Sequence, residues 1–471
     1  MKAQRRFAIR QPSFAGFIGV ARENITPPAG IYSRNWGAAK HDIADGIHRP
    51  LTLTCLTFQS AKTGRPLVLM AADLGWWKNG NDETDFRGEI LKALALEPAS
   101  LMFCLSHTHS GPSICRSEAS RPGGHFIEGY WRRVQKLAVR AARRAQAAAV
   151  PAILTWRYGR CDLAANRDLP EKEGDGRFIC GYNPAQPADD TLLVGRVTNP
   201  RGRILATIVN YACHPTTLAW DNHLLSPDYI GAMREVVENE TRSPCLFLQG
   251  ASGELAPAEQ YVGDVAVADA HGRRLGHAAL ATLGGMLPPA TRIAFHGVVE
   301  SGASLAIWKQ TPDQISRVFK AEISEVKFAL KPSPSIAKLE QAWRKCDDRT
   351  LKERLWRQIS IRKKVGTGKI TLAPLWVWRL GDSFLIGQPN EPYSKFQQEL
   401  RHCLLSPAVA VMNLVNGSTG YLPTRNMYGK NVYPVWQTPF AKGSLERLTE
   451  AAVSMTQRSA KEHRFNPGSS A

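Results

Sequence analysis

Two histidines that are two residues apart form the first group of side chains in this sequence with an evident chemical use. His107 and His109 lie in the segment 106–112 (SHTHSGP), directly after the apolar run 101–105. That run is typical of a short buried strand, and residues two apart in an extended chain point to the same side. Because imidazole is a common zinc ligand, the motif indicates either a metal site at a strand end or two hydrogen-bonded loop histidines.

Three further polar side chains follow apolar, strand-like runs later in the chain. They are His214 after 204–211, Glu391 after 384–387 and Tyr421 after 408–414. Open sheets gather ligands at the carboxyl ends of their strands, so a shared centre is one interpretation. A structural histidine, a carboxylate at a helix N-terminus and a packed loop tyrosine are the alternatives.

The elements that must position these side chains alternate between strands and helices. The alternation predicts an α/β (α+β) fold, in which helices cover a mixed β-sheet core and the site lies at strand carboxyl ends. The predicted strands are 51–58, 66–72, 101–105, 152–158, 204–211, 245–248, 370–380, 384–387 and 408–414. The predicted helices are 83–96, 127–149, 227–238, 265–283 and 444–462.

The net charge of +19 does not by itself identify a binding partner. The basic residues are spread along the chain, and the densest region, 132–144, has the spacing of a solvated helix face. We therefore expect no specific nucleic-acid partner, whereas peripheral contact with an anionic membrane is compatible with the charge.

Hydropathy excludes one class of protein and indicates a location. No run of about 18 apolar residues occurs, so no transmembrane helix is expected. No apolar run follows Arg5 and Arg6 near the N-terminus, so we do not expect export and predict a cytoplasmic location.

In combination, the four strand-end segments resemble the catalytic N-terminal domain of the neutral/alkaline non-lysosomal ceramidase family. The segment 106–112 is similar to the H-x-H-S-x-P signature of that family. Three other segments resemble it in the same order, namely 19–28 (GVARENITPP), 46–51 (GIHRPL) and 72–75 (ADLG).

The resemblance implies a division of the chain. It implies an N-terminal extension at 1–16, a neutral ceramidase-like catalytic domain at 17–463 and a disordered tail at 464–471. Within the domain, 313–364 is rich in Lys, Arg, Glu and Gln and is expected to be a helical insertion, with a hairpin as the alternative.

The resemblance also implies a cofactor and a set of site residues. The cofactor is Zn²⁺, and the implied ligands are His107, His214, Glu391 and Tyr421. The implied catalytic residues are His109, which would pass a proton to the leaving amine, and Arg167 and Tyr433, which would stabilise the oxyanion.

One departure from the family affects the expected mechanism. The ceramidases carry a Gly-Asp-Val-Ser-Pro-Asn segment whose serine is assigned as catalytic, whereas this chain has GELAPA at 253–258, with Ala256 at that position. The resemblance therefore implies a zinc-dependent hydrolase that cleaves a carboxylic amide by zinc-activated water. The expected substrate is a small-molecule N-acyl or lipid-like amide other than long-chain ceramide.

Two alternatives belong to other classes. A non-catalytic family member that binds lipid or a polyanion would explain Ala256 and the basic charge. A metal hydrolase of another fold, such as a TIM-barrel amidohydrolase, also begins with H-x-H after a strand, but it has no use for Glu391 and Tyr421.

Overall fold

Two mixed β-sheets that pack face to face form the centre of the protein. The computed structural model describes residues 8–171, 176–404 and 408–465, with side chains described as far as Ser459. Helices cover the outer faces of both sheets, which gives four layers around three hydrophobic interfaces. The predicted fold class, a mixed sheet core covered by helices, is confirmed, although the division into two sheets was not predicted.

The larger sheet has eight strands and is parallel only at its two ends. Both terminal pairs are parallel, and the neighbours between them are antiparallel. In spatial order the strands are Cys245–Gln249, Ile204–Tyr211, Thr191–Thr198, Val150–Arg160, Ser13–Asn24, Thr52–Gln59, Leu67–Ala72 and Leu101–Leu105.

The second sheet has four strands and closes the core from the other side. Its strands, in order, are Phe319–Ala329, Ile370–Leu380, Ser383–Gly387 and Val409–Met412. Trp376 and Trp378 are buried against the larger sheet, and their indole N–H groups donate to the carbonyls of Pro98 (3.0 Å) and Ala99 (2.7 Å). Each buried indole therefore has the polar partner that it needs.

Two asparagines connect the sheets. The Asn210 amide donates to Leu248 O in the larger sheet and to Val411 O in the second, each at 2.9 Å. Asn416 accepts from Phe103 N (2.9 Å) and donates to Leu101 O (2.7 Å), so it lies along the edge strand that leads to His107.

Each described helix combines buried positions with exposed or half-buried ones. Along 132–144 the Arg and Lys side chains are exposed, as expected for a solvated helix face. No helix in the described part of the chain is long and apolar enough to cross a bilayer. The helices are α1 (Gly80–Leu94), α2 (Ile127–Ala147), α3 (Tyr229–Thr241), α4 (Val265–Gly284), α5 (Ile336–Lys345), α6 (Arg349–Val365), α7 (Lys395–Cys403), α8 (Tyr433–Gln437) and α9 (Ser444–Phe465).

Short strands complete the fold. A three-stranded sheet contains Ala8–Ile9, Thr291–Glu300 and Ser304–Pro312. Two-stranded pairs join Asp168–Pro170 with Phe178–Cys180, Gly46–Ile47 with Leu224–Leu225, Ala164–Asn166 with Leu255–Pro257, and Glu391–Pro392 with Tyr421–Leu422.

The residues expected to form the N-terminal extension and the C-terminal tail belong only in part to the described residues. Strand Ser13–Asn24 lies inside the larger sheet, so residues 13–16 belong to the core rather than to an extension. Residues 466–471 of the expected tail, and residues 1–7, lie outside the described residues. Residues 464 and 465 end helix α9.

The stretch 313–364 is helical only in its second part. Strand Phe319–Ala329 pairs along its whole length with Ile370–Leu380 and is an integral part of the second sheet. The expectation of a wholly helical insertion is therefore wrong for this strand. Helices α5 and α6 follow it, and α6 lies over the candidate site described next.

Candidate metal centre

Two imidazoles meet one carboxylate at the end of the sheets. The Nε2 atoms of His107 and His214 lie 3.2 Å and 3.1 Å from the same oxygen, Oε2 of Glu391. All three side chains are buried, and their ligand atoms lie within 4.8 Å of one another. Two of the strand ends belong to the larger sheet and the third follows a strand of the second sheet, so both sheets are needed to build this cluster.

The backbone at His107 holds its ring in place. His107 has a left-handed conformation (φ 68°), its N–H donates to Leu74 O (3.0 Å), and its Nδ1 lies 3.3 Å from Gly75 O. The prediction that an extended chain places His107 and His109 on one side is therefore wrong in its geometry. A left-handed residue does so instead, and the two rings are 4.9 Å apart.

The orientation of His214 fixes which ring nitrogen carries its proton. Nδ1 lies 2.6 Å from Ser252 O and 3.2 Å from Leu255 O, and a carbonyl oxygen only accepts. In the neutral ring Nδ1 is therefore the donor, and Nε2 presents a lone pair to Glu391. A backbone carbonyl in this position is the usual partner of a metal-binding histidine.

Glu391 and Tyr421 are brought side by side by a two-residue parallel pair of strands. Glu391 is directly opposite Tyr421 in the register, and Glu391 N donates to Gly420 O (3.0 Å). Gly253 packs so closely on this pair that a Cβ there would lie 2.8 Å from Glu391 O. Glycine at 253 thus lets the turn that holds His214 approach the strand that carries Glu391.

The electrostatics of the cluster suit a cation. Burial, with Arg167 nearby, lowers the pKa of His214 to about 3, so its ring is neutral at pH 7. Burial raises the pKa of Glu391, whereas a proton on either imidazole lowers it, and the result lies well below the usual range. The carboxylate therefore favours a positive charge beside the Nε2 atoms, and a metal ion can take that place because burial keeps the His214 ring neutral.

The donor set also has the right chemistry and spacing for a metal. Two imidazole nitrogens and one carboxylate oxygen form a common ligand set for catalytic zinc. Tetrahedral coordination at about 2.0–2.1 Å places neighbouring ligand atoms about 3.3–3.4 Å apart. The distances of 3.2 Å and 3.1 Å from Glu391 Oε2 to the two Nε2 atoms are close to this value. His107, His214 and Glu391 thus form a candidate three-residue metal site.

The other predicted site residues surround this cluster. Arg167 Nη2 donates to Tyr421 Oη (3.2 Å) and to Gly253 O (2.7 Å), and it lies 3.5 Å from His214 Nε2. The Tyr421 ring stacks 6.3 Å from His214 and lies 5.6 Å from Tyr433. Burial raises the pKa of Tyr421 well above its usual value, so the hydroxyl keeps its proton in the metal-free site.

His109 lies next to the cluster rather than in it. Its ring is held between Trp36 and Trp76, at 4.9 Å and 4.8 Å. Neither ring nitrogen has a hydrogen-bond partner among the described residues. Burial, with the neighbouring His107 and His214, lowers the pKa of His109 well below its usual value, so this ring is a neutral group available to a substrate.

Two cavities meet at this point and define the space for a ligand. One, of about 70 Å³, is lined by His107, Glu391 and Tyr421. The other, of about 270 Å³, is lined by His109, Arg167 and an aromatic cluster. Each volume lies below the range of about 300–1,000 Å³ that is typical of small-molecule sites.

Several residues that line the cavities were missed by the sequence prediction. Trp76 lies four positions after the strand Leu67–Ala72. It could therefore have been predicted in the same way as His107, from its place after an apolar strand. Trp36 and Arg357 had none, because one is in a loop and the other in a helix whose position over the site was not predictable.

The residue at the position of the family's serine and the serine nearest to it are both buried. Ala256, at the position of the family's serine, is fully buried in a short strand that pairs with Ala164–Asn166. The nearby Ser252 is also fully buried, and its hydroxyl accepts from Gln249 Nε2 (2.7 Å). It contributes to the site through its carbonyl, which accepts from His214.

No protein-family model matches the sequence, but individual relatives do. Neutral ceramidase from Pseudomonas aeruginosa is 27% identical over 260 residues, which are 51% of this chain and 37% of that protein. Thus the match spans well under half of the relative's length.

Solved structures share the fold over nearly the whole chain. A ceramidase complexed with C2 has a TM-score of 0.65 at 18% identity, covering 95% of this chain and 76% of that one. A crystal structure of the Pseudomonas aeruginosa neutral ceramidase has a TM-score of 0.66 at 17% identity, covering 94% and 74%. The chain has a neutral ceramidase-like fold.

The ceramidase-like fold decides between the folds considered above. The likeness covers both sheets and the helices around them, so it confirms the resemblance found in the motifs. The strands form open sheets rather than a closed barrel, so the TIM-barrel alternative is wrong. At these identities the structural likeness establishes the fold and not the reaction.

Proposed function

We propose that this protein is a zinc-dependent hydrolase that cleaves a carboxylic amide of the N-acyl or lipid-like class. The observation that supports it is the convergence of His107 and His214 on Glu391 Oε2 at the meeting point of two cavities. The neutral ceramidase likeness supports amide cleavage in particular.

The chemistry of the reaction is shared between the metal and the side chains. When bound, zinc supplies Lewis acidity and lowers the pKa of a coordinated water to about 7. The Arg167 guanidinium and the hydroxyls of Tyr421 and Tyr433 donate to the amide carbonyl oxygen as negative charge develops there. The neutral His109 accepts a proton from the attacking water and delivers it to the leaving nitrogen.

The buried walls of the site strengthen these interactions. Trp36 and Trp76 enclose His109, and the ligand side chains are shielded from solvent. Donors fixed in a site with little water stabilise developing charge more than the same groups in solution. No serine is required, in keeping with Ala256.

Tyr421 can act either as a zinc ligand or as a hydrogen-bond donor to the substrate, and one variant distinguishes these roles. In Tyr421→Phe, a fall in zinc content would make Tyr421 a ligand. Full zinc content with a kcat lowered about 10²-fold, as for loss of one oxyanion donor, would make it a donor to the substrate.

The proposal is tested by metal analysis together with hydrolysis of a series of N-acyl amides. We expect about one zinc per chain, amide turnover that stops with a chelator and returns with zinc, and loss of both properties in His214→Ala. Glu340→Gln, a change on α5 at a half-buried carboxylate that pairs with Lys363, is the matched control and should keep both. Full hydrolysis after complete metal removal would contradict the proposal.

A non-catalytic protein that binds lipid or a polyanion is the second candidate, because Ala256 replaces the serine of the family. The same assays distinguish it. Zinc-free protein that binds anionic vesicles and cleaves no amide or ester would favour this candidate over a hydrolase.

A further inference from the structure

Helix α6 presents a polar face to the larger cavity. Thr350, Glu353, Arg354 and Arg357 follow the three- and four-residue spacing of one helix face, and all four line that cavity. A helix packed on a protein normally turns an apolar face inward. Here α6 brings charged groups to the space beside His109 instead.

The charge on the cavity wall is positive. The residues that line it include three arginines, Arg167, Arg354 and Arg357, and one acidic residue, Glu353. Glu353 is itself shared, since it lies 3.2 Å from Arg357 and 3.6 Å from Arg34. Arg167 lies at the candidate metal centre, where it donates to Gly253 O and Tyr421 Oη, so the two α6 arginines are the cations available to a charged group elsewhere on a ligand.

Arg357 is held in a fixed orientation. Its guanidinium lies over the Trp76 ring at 5.5 Å, and its Nη2 donates to Glu353 at 3.2 Å. That bond uses one of its five N–H donors. A guanidinium stacked on an aromatic ring and fixed at one edge is well arranged to bind a carboxylate with its remaining N–H groups.

An aromatic cluster lines the same cavity. Trp36, Trp220 and Tyr261 contact one another with ring centroids 5.7–5.9 Å apart. Such a surface suits a flat or apolar group. The cavity therefore combines a cationic wall with an aromatic wall next to the candidate metal site.

We infer that the substrate carries a carboxylate that Arg357 binds, with an apolar ring or chain against the aromatic cluster, which makes it an N-acyl amino acid. This inference rests on the proposed amide hydrolysis. It makes Arg357 a positioning residue that selects anionic amides and takes no part in the proton transfers. Arg354, over Trp436 at 4.9 Å, adds charge to the same wall.

Binding is tested first, without turnover, by calorimetry with 4-phenylbutyrate and the uncharged 4-phenylbutan-1-ol. We expect the carboxylate to bind at least about 10-fold tighter, and Arg357→Gln to weaken it about 10–100-fold, the range for a charge-assisted bond, without affecting the alcohol. Arg357→Lys should restore part of the loss. Lys363→Gln, on the exposed side of α6 and paired with Glu340, is the control and should change neither.

Turnover is tested next with N-hexanoyl-phenylalanine and its carboxamide, N-hexanoyl-phenylalaninamide. We expect Arg357→Gln to raise KM for the carboxylate substrate about 10–100-fold, with kcat little changed, and to leave the carboxamide within about 3-fold.

The outcomes separate the two proposals. If neither amide is cleaved but the carboxylate preference disappears in Arg357→Gln, amide hydrolysis fails and the anion site stands. If both amides are cleaved equally well and Arg357→Gln affects them alike, hydrolysis stands and the inference is overturned. Unchanged 4-phenylbutyrate binding in Arg357→Gln would assign the carboxylate to the metal and would also overturn it.

Discussion

At the scale of single residues, the candidate site depends on backbone carbonyls that fix the histidines. Ser252 O takes the Nδ1 proton of His214, and Gly75 O lies beside Nδ1 of His107. In both rings Nε2 is therefore directed at Glu391. Such partners commonly change metal affinity by about 10–100-fold when they are lost, so the carbonyls belong to the candidate site together with the three side chains.

Ser252→Ala is expected to keep the activity. Its carbonyl is unchanged by the substitution, and its hydroxyl has only the bond from Gln249, which also donates to Cys213 O (2.8 Å). We expect kcat/KM within about 3-fold of the wild type and a stability loss of about 1 kcal/mol. A loss of activity of about 10³-fold with zinc still bound would instead make Ser252 a nucleophile.

Glu254→Gln is expected to stabilise the protein in a pH-dependent way. Burial raises the pKa of Glu254 to about 8 despite the hydrogen bonds from Ser394, whereas its unfolded value is about 4.3. Between these values the folded state holds more protons, so the free energy of unfolding falls as pH rises from about 4.5 to about 8. A glutamine at position 254 does not titrate, so the stability of the variant lacks this dependence on pH.

Urea unfolding at pH 5, 7 and 9 measures this difference. The variant should become more stable than the wild type by about 2–4 kcal/mol at pH 9, the order given by 1.36 kcal/mol per pKa unit. Glu340→Gln, which removes only a surface pair with Lys363, should stay within about 1 kcal/mol of the wild type at all three values of pH. A difference that is the same at all three values of pH would refute the assignment.

The three residues of the candidate metal site were predictable at this scale because they follow apolar strands, a pattern that periodicity detects. His214, Glu391 and His107 each stand after such a run and are brought together. The left-handed conformation of His107 was not predictable, because it depends on contacts with the loop that contains Leu74, far away in sequence.

At the scale of elements, a buried ion pair supports the loop that holds His107. Asp73 accepts from both Nη atoms of Arg234 on α3 (3.0 and 2.8 Å) and from the N–H of Thr52 (2.8 Å). Leu74 and Gly75, which contact His107, follow Asp73 directly. The pair thereby connects α3, the larger sheet and the site.

Asp73→Asn is expected to reduce both stability and zinc affinity. The substitution leaves the buried Arg234 charge without its partner, which costs about 3–5 kcal/mol, and it loosens the loop beside His107. Denaturant unfolding and zinc titration measure the two effects. Asp162→Asn, which breaks the exposed pair with Arg274, should cost under about 1 kcal/mol; an equal cost for both variants would contradict the argument.

Most elements were predictable from local patterns, but their assembly was not. The strand Phe319–Ala329 lies in a stretch rich in charged residues, and its exposed positions hid the alternation that identifies a strand. Whether α6 covers the site or points away from it depends on contacts distant in sequence, such as Arg357 with Trp76.

At the scale of the whole molecule, the candidate metal site joins the two sheets. His107 and His214 follow strands of the larger sheet, and Glu391 follows a strand of the second. An ion bound by all three residues therefore stabilises the packing between the sheets and not only the local loops.

Removal of the metal is expected to lower the melting temperature of the whole domain. Binding to the folded state alone contributes about 4 kcal/mol when the free metal is 1,000 times its dissociation constant. A chelator should therefore lower Tm by several degrees, and added zinc should restore it. His214→Ala should show a low Tm that neither treatment changes; a chelator effect of equal size in this variant would place the relevant ion elsewhere.

The support that Asn416 gives to strand Leu101–Leu105 has a consequence for the synthesis of the chain. Asn416 and Tyr421 emerge more than 300 residues after His107, and at about 5–20 residues per second this delay is about 15–60 s. Until then the outer edge of the strand lacks its native partner and exposes unpaired backbone groups. The nascent protein is thus most exposed to pairing with other chains until residue 416 has left the ribosome.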